Sequence, residues 1–357
     1  MDDMQVASFF AGAGGLDLGF RQAGFEIPWA NEYDRAIHAT YEANHPATYL
    51  ERRSLVDFEA DQVPRGVFGM IGGPPCQSWS EAGMARGAED KRGQLFFRYV
   101  DFVEQVRPTF FLAENVSGLL FSRHSLSFRK ILERFCDLGY NVSFGLLNAN
   151  DYGVPQDRER VIIVGYRLKG SIFFSPPPTD VEQKTLRDAI FDLRKSARPA
   201  IEKTYANSRL KIPNHEYLDS GYSPMFMSRN RVRSWDEPSF TIQAGGRHAP
   251  LHPSAPKMVL VEKDKREFVK DKFYRRLSVR EAARVQTFPD DFIFQYKNVL
   301  DGYKMIGNAV PVEFGRRLAQ QIFSDVISSE ILPRSSRRKG KIKSFDEIIT
   351  TNQESAA

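Results

Sequence analysis

Over the first 170 residues, short apolar runs alternate with longer stretches whose apolar spacing suits helices. The runs rich in strand-forming residues cover 4–10, 25–30, 67–71, 109–113, 142–147 and 161–166. Short apolar runs bounded by turns are typical of buried strands. Strands that alternate with helices predict an α/β fold whose mostly parallel sheet is covered on both faces. We therefore expect residues 1–170 to form one domain.

The pattern changes near residue 170. A Ser-Pro-Pro-Pro sequence at 175–178 breaks regular structure, and from there to about residue 270 the chain is rich in Pro, Gly, Asn, Ser and Arg. Short β-like pieces occur at 239–243 and 258–261. This change predicts a second, smaller, irregular β-rich domain, which with its hinge covers 171–292.

Towards the C-terminus, a helical pattern returns at 277–285 and again at 312–327. The final residues, 333–357, contain six basic residues between Arg334 and Lys343 and end in a polar sequence. Polar, like-charged ends of chains are commonly disordered. We expect a basic, disordered tail here.

Composition excludes several classes of protein. With 41% apolar and 12% aromatic residues, the chain is too apolar for a disordered protein. Two cysteines, Cys76 and Cys136, exclude a disulfide scaffold, and six scattered histidines give no pattern for a zinc site. The acidic N-terminus is unlike a secretory signal, and no apolar run reaches the roughly 18 residues of a membrane span. We expect a cytoplasmic protein without a metal.

The formal net charge of +5 is unevenly distributed along the chain. Residues 205–284 carry +7 and residues 333–357 carry +3, whereas the other residues together carry −5. Clustered positive charge attracts nucleic acid. The second domain is therefore the part of the chain that we expect to face a polyanion.

A glycine-rich turn follows the first predicted strand. It reads Gly12-x-Gly14-Gly15-x-x-x-Gly19. A dinucleotide-binding fingerprint has a third glycine at a spacing that this turn lacks. Glu32, twenty residues after Gly12, stands where an acidic residue accepts hydrogen bonds from a ribose. The pair predicts a nucleoside-bearing cofactor without a bridging pyrophosphate, of which S-adenosylmethionine is the obvious candidate. The alternative is a strand-to-helix connection that binds no ligand.

A second motif, Gly-Gly-Pro-Pro-Cys-Gln at 72–77, also follows a buried strand. Cys76 is thus expected at the carboxyl edge of the sheet, where open α/β folds bind ligands. The two prolines restrict the backbone before Cys76 and so fix the direction of its thiol, as a nucleophile requires. Cys136 lies within a helical pattern, and we expect it to be an ordinary buried residue.

Three charged residues stand at the ends of the later predicted strands. Glu114 is flanked by apolar residues, which predicts a partly desolvated carboxyl group that favours its protonated form. Arg158 and Arg160 stand at the head of a later strand, two residues apart and so on one side. For these arginines alone, a surface ion-pair ladder with Asp157 and Glu159 is the simpler interpretation.

Taken in order, these motifs resemble those of the DNA cytosine C5 methyltransferases. The matching segments are FAGAGGLDLGF, GGPPCQS, ENV, QDRERV, RRLSVREAARVQTFPDDF and GNAVP, and they span residues 5 to about 325. The resemblance implies a Rossmann-like methyltransferase fold with a target-recognition domain. It also implies that S-adenosylmethionine is the cofactor and duplex DNA the substrate, and that residues 293–332 return to the catalytic domain to complete the cofactor site.

The family's site residues carry over to matching positions. Cys76 would be the nucleophile, Gln77 its neighbour, Glu114 the group at the ring nitrogen N3, Arg160 the group at the carbonyl oxygen O2, and Arg158 a supporting residue. The implied cofactor residues are Phe10, Gly12, Gly14, Gly15, Leu16, Glu32, Tyr33, Asn308 and Val310. One position departs from the family, because Arg53 stands where an acidic residue usually contacts adenine, so that either Asp57 substitutes for it or the adenine contact is made differently.

The second domain further resembles that of bacterial enzymes that methylate the inner cytosine of GGCC in restriction and modification systems. PNHEY, FMSRNRVR and EPSFT carry this match, and Arg229, Arg231, Arg233 and Arg247 are the candidate DNA-contacting residues. We expect a bacterial, cytoplasmic monomer, accompanied by an endonuclease for the same site without a stable complex. Two alternatives stay open, namely a transfer RNA cytosine methyltransferase and a catalytically idle DNA-binding regulator.

Overall fold

The structure, a computed structural model, describes residues 4–75, 94–121, 124–331 and 338–348. Within these residues, the strands of the central sheet are β1 Gln5–Phe9, β2 Glu26–Asn31, β3 Tyr49–Glu51, β4 Gly69–Gly72, β5 Phe110–Val116, β6 Asn141–Asn148, β7 Glu159–Tyr166 and β12 Ile342–Ser344. These eight strands lie side by side in the order β12-β6-β7-β5-β4-β1-β2-β3. Every pair in the sheet is parallel except those of β7, which runs antiparallel to both β5 and β6. The mostly parallel sheet predicted from the sequence is therefore present.

Helices cover both faces of this sheet. They are α1 Gly15–Gln22, α2 Arg35–Asn44, α3 Gln94–Val106, α4 Ser125–Asp137 and α9 Val312–Ile327, whereas α8 Val299–Asn308 packs against α2 in a separate core. Successive residues of β5 enter opposite cores, because strand side chains alternate between faces. Phe111 packs in a core with α3 and α4, whereas Phe110 packs in one with α1 and α9. The helix predicted at 312–327 matches α9.

The region between β7 and α8 has short elements around two smaller cores. These elements are α5 Leu186–Ile190, β8 Arg198–Pro199, β9 Glu216–Tyr217, α6 Pro224–Met227, β10 Val259–Glu262, β11 Lys265–Glu267 and α7 Val279–Val285. The β-like piece predicted at 258–261 corresponds to β10, but 239–243 forms only a single bridge, from Ser239 to Gln156. The domain boundaries at 170 and 292 stay predictions.

The C-terminal residues correct one expectation. Residues 338–348 are ordered in the fold, since β12 pairs with β6 and adds a parallel strand at the sheet edge. Phe345 and Ile348 are buried in the core beneath α9. The prediction of a disordered tail is thus wrong for 338–348, because apolar residues within the basic sequence have a core to enter. No helix in the described ranges is long and apolar enough to cross a membrane.

Candidate active site and cofactor cavity

A cavity of about 370 Å³ lies where the carboxyl ends of β1, β2, β4 and β5 meet. Ligands of open α/β folds bind at this edge, in cavities of roughly this size or larger. Six of the predicted cofactor residues line it, namely Phe10, Gly12, Leu16, Glu32, Asn308 and Val310. Glu114 and the segment Gly72–Pro75 line the same cavity. The fold therefore brings the glycine turn, the proline segment and the carboxyl candidate to one place.

The glycines of the turn have different roles. Gly12 and Gly14 both adopt left-handed backbone conformations, with φ of 57° and 87°. A Cβ atom on Gly12 would meet no atom within 4 Å, whereas one on Gly14 would lie 2.1 Å from Nε2 of His45. A Cβ atom on Gly15 would lie 2.4 Å from the carbonyl oxygen of Val310. Gly12 thus leaves space on the cavity side, and the other two glycines allow close internal packing.

Three of the predicted cofactor positions do not line the cavity. Gly14 and Gly15 do not line the cavity, because atoms of His45 and Val310 occupy the space that side chains at these two positions would take. Tyr33 lies outside the lining as well, with 68% of its surface exposed. The resemblance to the family had assigned Gly14 and Gly15 to the cofactor together with the rest of the turn, and Tyr33 as the neighbour of Glu32.

Glu32 connects the glycine turn to the start of α2. Its Oε2 accepts a hydrogen bond from the Gly12 amide at 2.9 Å, and its Oε1 accepts one from the Asp34 amide at 2.7 Å. Burial raises the pKa of the Glu32 carboxyl, which the two amides partly oppose. Each carboxylate oxygen has a second lone pair. Glu32 can therefore hold the turn and still accept a hydrogen bond from a ligand.

Phe10 has a strained backbone at the mouth of the turn. Its φ of 53° is unusual for a bulky residue. The next amide, that of Ala11, donates a hydrogen bond to the carbonyl oxygen of Asn31 at 3.0 Å, which fixes the chain after the strained residue. Such strain persists where the surrounding structure enforces it, and it is frequent at binding sites.

Glu114 forms an ion pair with Arg160. Nε of Arg160 lies 2.8 Å from Oε1 of Glu114, and both side chains are close to nine-tenths buried. A Cβ atom on Gly73 would lie 3.3 Å from the other carboxyl oxygen, Oε2. Glu114 is therefore half of an ion pair beside the proline segment. The sequence predicted a partly desolvated carboxyl group, and the side chain of Glu114 is 11% exposed, but it lies against a cation that its sequence neighbours did not indicate.

Asn115 fixes the approach to the proposed nucleophile. Its Nδ2 donates a hydrogen bond to the carbonyl oxygen of Pro74 at 2.8 Å, and the Asn115 side chain is buried. Cys76 and Gln77 lie outside the described residues. Sequence reasoning gave Asn115 no role of its own, although its place beside Glu114 at a strand end was a usable signal. Cys136, in α4, is buried as predicted, and burial raises the pKa of its thiol to about 12.

Comparison with known proteins decides the family. The C-5 cytosine-specific DNA methylase family matches residues 4–324. The chain belongs to this family of methylases.

Several curated relatives are similar over nearly their full length. Type II methyltransferase M.MthTI of Methanothermobacter thermautotrophicus is 54% identical over 327 residues, which is 91% of this chain and 98% of that protein. Type II methyltransferase M.FnuDI of Fusobacterium nucleatum is 49% identical, with 94% and 99% covered. M.NgoPII of Neisseria gonorrhoeae is 50% identical, with 89% and 95% covered.

Solved structures agree on the fold. A putative DNA modification methyltransferase from an E. coli prophage has a TM-score of 0.66 at 22% identity, with 90% of this chain and 99% of that chain covered. The S. pombe Dnmt2 methyltransferase has a TM-score of 0.64 at 19% identity, with 90% and 99% covered. The predicted methyltransferase fold and DNA cytosine-5 methyltransferase activity are thus confirmed, as is the cofactor, S-adenosylmethionine.

The cavity of this methylase fits that cofactor. The free lone pairs of Glu32 suit ribose hydroxyl groups, and Gly12 leaves open space beside them. Arg53 does not line the cavity, because its guanidinium pairs with Glu51 at 2.6 Å. Asp57 is absent from the lining too, whereas Asp34 is part of it.

Arg158 holds backbone segments together and does not line the cavity. Its side chain is 1% exposed and donates hydrogen bonds to the carbonyl oxygens of Ile242 at 3.1 Å and of Gly307 and Ala309 at 2.9 Å each. Burial lowers the pKa of its guanidinium, and nearby Arg160 lowers it further. The surface ladder considered as an alternative for Arg158 and Arg160 is therefore wrong.

The four candidate DNA-contacting arginines fall into two groups. Arg229 and Arg247 are exposed. Arg231 donates a hydrogen bond to the carbonyl oxygen of Phe226 at 3.0 Å. Arg233 pairs with Asp157 at 2.7 Å, which ties this part of the chain to the segment before β7. The first pair is available to a ligand, and the second pair is engaged within the protein.

Proposed function

We propose that this methylase modifies the inner cytosine of GGCC in duplex DNA, through covalent addition of Cys76, and that it protects DNA within a Type II restriction and modification system. One observation carries the catalytic part, namely the Glu114–Arg160 ion pair beside the segment Gly73–Pro75 and next to the cofactor cavity. The similarity to three Type II methyltransferases supports the biological part.

The chemistry begins with a cytosine that has left the base stack, because carbon 5 and carbon 6 are inaccessible within a duplex. The Cys76 thiolate forms a bond to carbon 6, and the electron pair of the 5,6 double bond moves toward the ring nitrogen N3 and carbon 5. Glu114 binds or protonates N3, and Arg160 binds O2. Preorganised charge of this kind stabilises the electron-rich ring as it forms.

S-adenosylmethionine supplies an electrophilic methyl group on a sulfonium sulfur. Gly12, Glu32 and Asn308 would hold the cofactor in the cavity, where it would donate this methyl group to carbon 5 and leave as the neutral thioether. A base then takes the carbon 5 proton, the double bond reforms, and the carbon 6–sulfur bond breaks to release the Cys76 thiolate. The protein accelerates these steps by holding the reacting groups in position. Asn115 contributes by fixing the proline segment through its hydrogen bond to Pro74.

The cavity residues divide the work of cofactor binding. Glu32 would accept hydrogen bonds from the ribose, and Gly12 would admit the cofactor's closest approach. Phe10 and Leu16 supply apolar contact. The turn at Asn308, fixed from behind by Arg158, would close the cavity on its other side.

DNA recognition is assigned to the exposed arginines. Arg229 and Arg247 are available for guanine edges or phosphates, and guanine is the base that arginine contacts most specifically. Arg233 is assigned a supporting role, because Asp157 already neutralises it. The chain would act as a monomer, without a stable complex with its cognate endonuclease.

The test is methylation mapping of DNA from cells that express the chain, with Cys76→Ser as the matched inactive control. We expect 5-methylcytosine at the inner cytosine of every GGCC and resistance of this DNA to a GGCC-cutting endonuclease. Methylation at a different sequence would refute the target, and methyl transfer by Cys76→Ser would refute the nucleophile. Transfer RNA from the same cells serves as the alternative substrate, and it should stay unmodified by this chain.

A further inference from the structure

Two buried glutamine side chains form a hydrogen-bonded pair behind the cofactor cavity. Nε2 of Gln156 donates to Oε1 of Gln286 at 2.8 Å, and neither side chain is exposed to solvent. The two residues are 130 positions apart in the chain. Buried amide groups are costly unless they are hydrogen-bonded, so the partners of the remaining amide atoms show what the pair holds.

On one side, the pair holds the segment 239–247, here called the recognition segment because it ends at Arg247. Oε1 of Gln156 accepts a hydrogen bond from the Ile242 amide at 2.7 Å. The neighbouring backbone of Ser239 bonds to the same part of the chain, since its amide donates to the Pro155 carbonyl oxygen at 2.9 Å. The position of the recognition segment is thus tied to Gln156.

On the other side, the pair holds residues 306–310, here called the cofactor turn because Asn308 and Val310 line the cavity. Nε2 of Gln286 donates to the carbonyl oxygens of Ile306 at 2.8 Å and Ala309 at 3.2 Å. These two carbonyls flank Asn308. The side chain of Gln286 therefore sets the shape of the turn around the cofactor residue.

The backbone next to Gln286 is strained. Thr287 has a φ of 60°, which is an outlier for a β-branched residue. Its hydroxyl accepts a hydrogen bond from the Glu313 amide at 2.9 Å, and the Gln286 carbonyl accepts one from the Val312 amide at 3.1 Å. Strain of this kind persists where surrounding contacts enforce it. Here the two contacts hold the backbone of Gln286 and Thr287 against the start of α9.

The recognition segment and the cofactor turn also touch directly. A Cβ atom on Gly307 would lie 2.3 Å from the Ala244 amide nitrogen, so the two backbones have no free space between them. Arg158 bonds to both segments through the carbonyl oxygens of Ile242 and Gly307. A shift of either segment must therefore displace the other or break buried hydrogen bonds.

We propose that Gln156 and Gln286 are positioning residues that couple DNA recognition to cofactor binding, so that each ligand tightens the binding of the other. The proposal rests on the proposed function, which places DNA at the recognition segment and the cofactor against the turn. Coupling between two sites is reciprocal, and it is typically on the order of tenfold. Contact between two segments does not by itself demonstrate coupling, so the measurement must be of affinities.

The experiment measures the dissociation constant of S-adenosylhomocysteine with and without a DNA duplex. The duplex carries the sequence that methylation mapping identifies, and a duplex without that sequence is the control. The proteins are the full chain, Gln156→Met, Gln286→Met and the double variant. Gln321→Met is the matched control, because this glutamine bonds only to Asp325 on the same helix among the contacts described for its side chain. Urea unfolding confirms that each variant is folded.

In the unaltered protein, the specific duplex should tighten S-adenosylhomocysteine binding by about tenfold. In both single variants, the ratio of the dissociation constants without and with the duplex should fall most of the way to one. The double variant should lose no more of this ratio than either single variant, since all three break the same hydrogen-bonded connection. A purely structural role would weaken both binary complexes and leave the ratio unchanged, which would overturn the proposal. A protein that neither methylates nor binds any duplex would instead refute the proposed function.

Discussion

Glu114 and Arg160 face each other diagonally across the antiparallel strands β5 and β7. Glu114 stands opposite Ile162, and Arg160 stands opposite Val116, so the two charged residues are offset by two positions and share one face of the sheet. The reversal of β7 is essential to this arrangement. The head of an antiparallel strand lies at the edge where its parallel neighbours end, which is where the cavity is.

Loss of the Glu114 carboxylate should abolish most methyl transfer. We expect Glu114→Gln to lower the single-turnover rate by roughly a hundredfold or more, because it removes the carboxylate that we propose binds or protonates N3. Binding of S-adenosylhomocysteine should change little. Arg160→Lys should retain more activity than Arg160→Met, since it keeps a charge beside Glu114. Equal rates for Glu114→Gln and the unaltered protein would contradict the assignment.

The sequence predicted six of the eight strands of the sheet and the residues at their ends, because apolar runs, glycine turns and polar strand ends are local signals, but it did not predict the short edge strands β3 and β12. It did not predict the reversal of β7 or the pairing of Glu114 with Arg160, since both depend on strand order. The contacts of Arg158 with Ile242 and Gly307 likewise join residues 84 and 149 positions away. Long-range backbone contacts of this kind leave no periodic pattern in a sequence.

Asp17 should make stability depend on pH. Burial raises the pKa of its carboxyl from 3.8 to about 6, although Ser8 and Tyr41 donate hydrogen bonds to it and oppose the shift. Because the folded state holds this proton more tightly than the unfolded state, the stability contributed by the protonated group is lost as pH rises from about 4 to 6.

The variant Asp17→Asn isolates this effect. Its free energy of unfolding in urea, relative to that of the unaltered protein, should rise by up to about 3 kcal/mol between pH 4 and pH 7. Asp264→Asn, at an exposed hairpin position, is the control and should show no such trend. A difference that is independent of pH would mean that Asp17 is charged throughout this range.

Phe345 should anchor the C-terminal strand. It is 4% exposed, and it packs over Gly145, where a Cβ atom would lie 2.3 Å from the ring. Phe345→Ala should lower the free energy of unfolding by roughly 3 kcal/mol, as expected for a large buried side chain. Phe273→Ala, at a position 73% exposed, should change it by less than about 0.5 kcal/mol. A disordered tail would make the two variants alike.

Arg229 and Arg233 should respond differently to alanine substitution. Arg229→Ala should weaken binding of the specific duplex and leave urea unfolding unchanged, because the side chain is exposed. Its loss should cost about 1 to 3 kcal/mol if it contacts a base, or reduce the salt dependence of binding if it contacts a phosphate. Arg233→Ala should lower stability by about 1 kcal/mol, since it breaks the pair with Asp157 and the contact with the Phe240 ring.

Alanine substitutions at Gly12 and Gly14 should have different effects, the first mainly on cofactor binding and the second mainly on stability. Both alanine variants strain a left-handed backbone, at a cost of about 1 to 2 kcal/mol. Gly14→Ala also forces a methyl group onto His45, which should add roughly 1 to 3 kcal/mol of overpacking. The second substitution His45→Ala should recover part of that additional loss. Gly12→Ala meets no protein atom, so it should mainly weaken S-adenosylhomocysteine binding, as titration calorimetry can show. Equal losses of stability in the two variants would contradict this division.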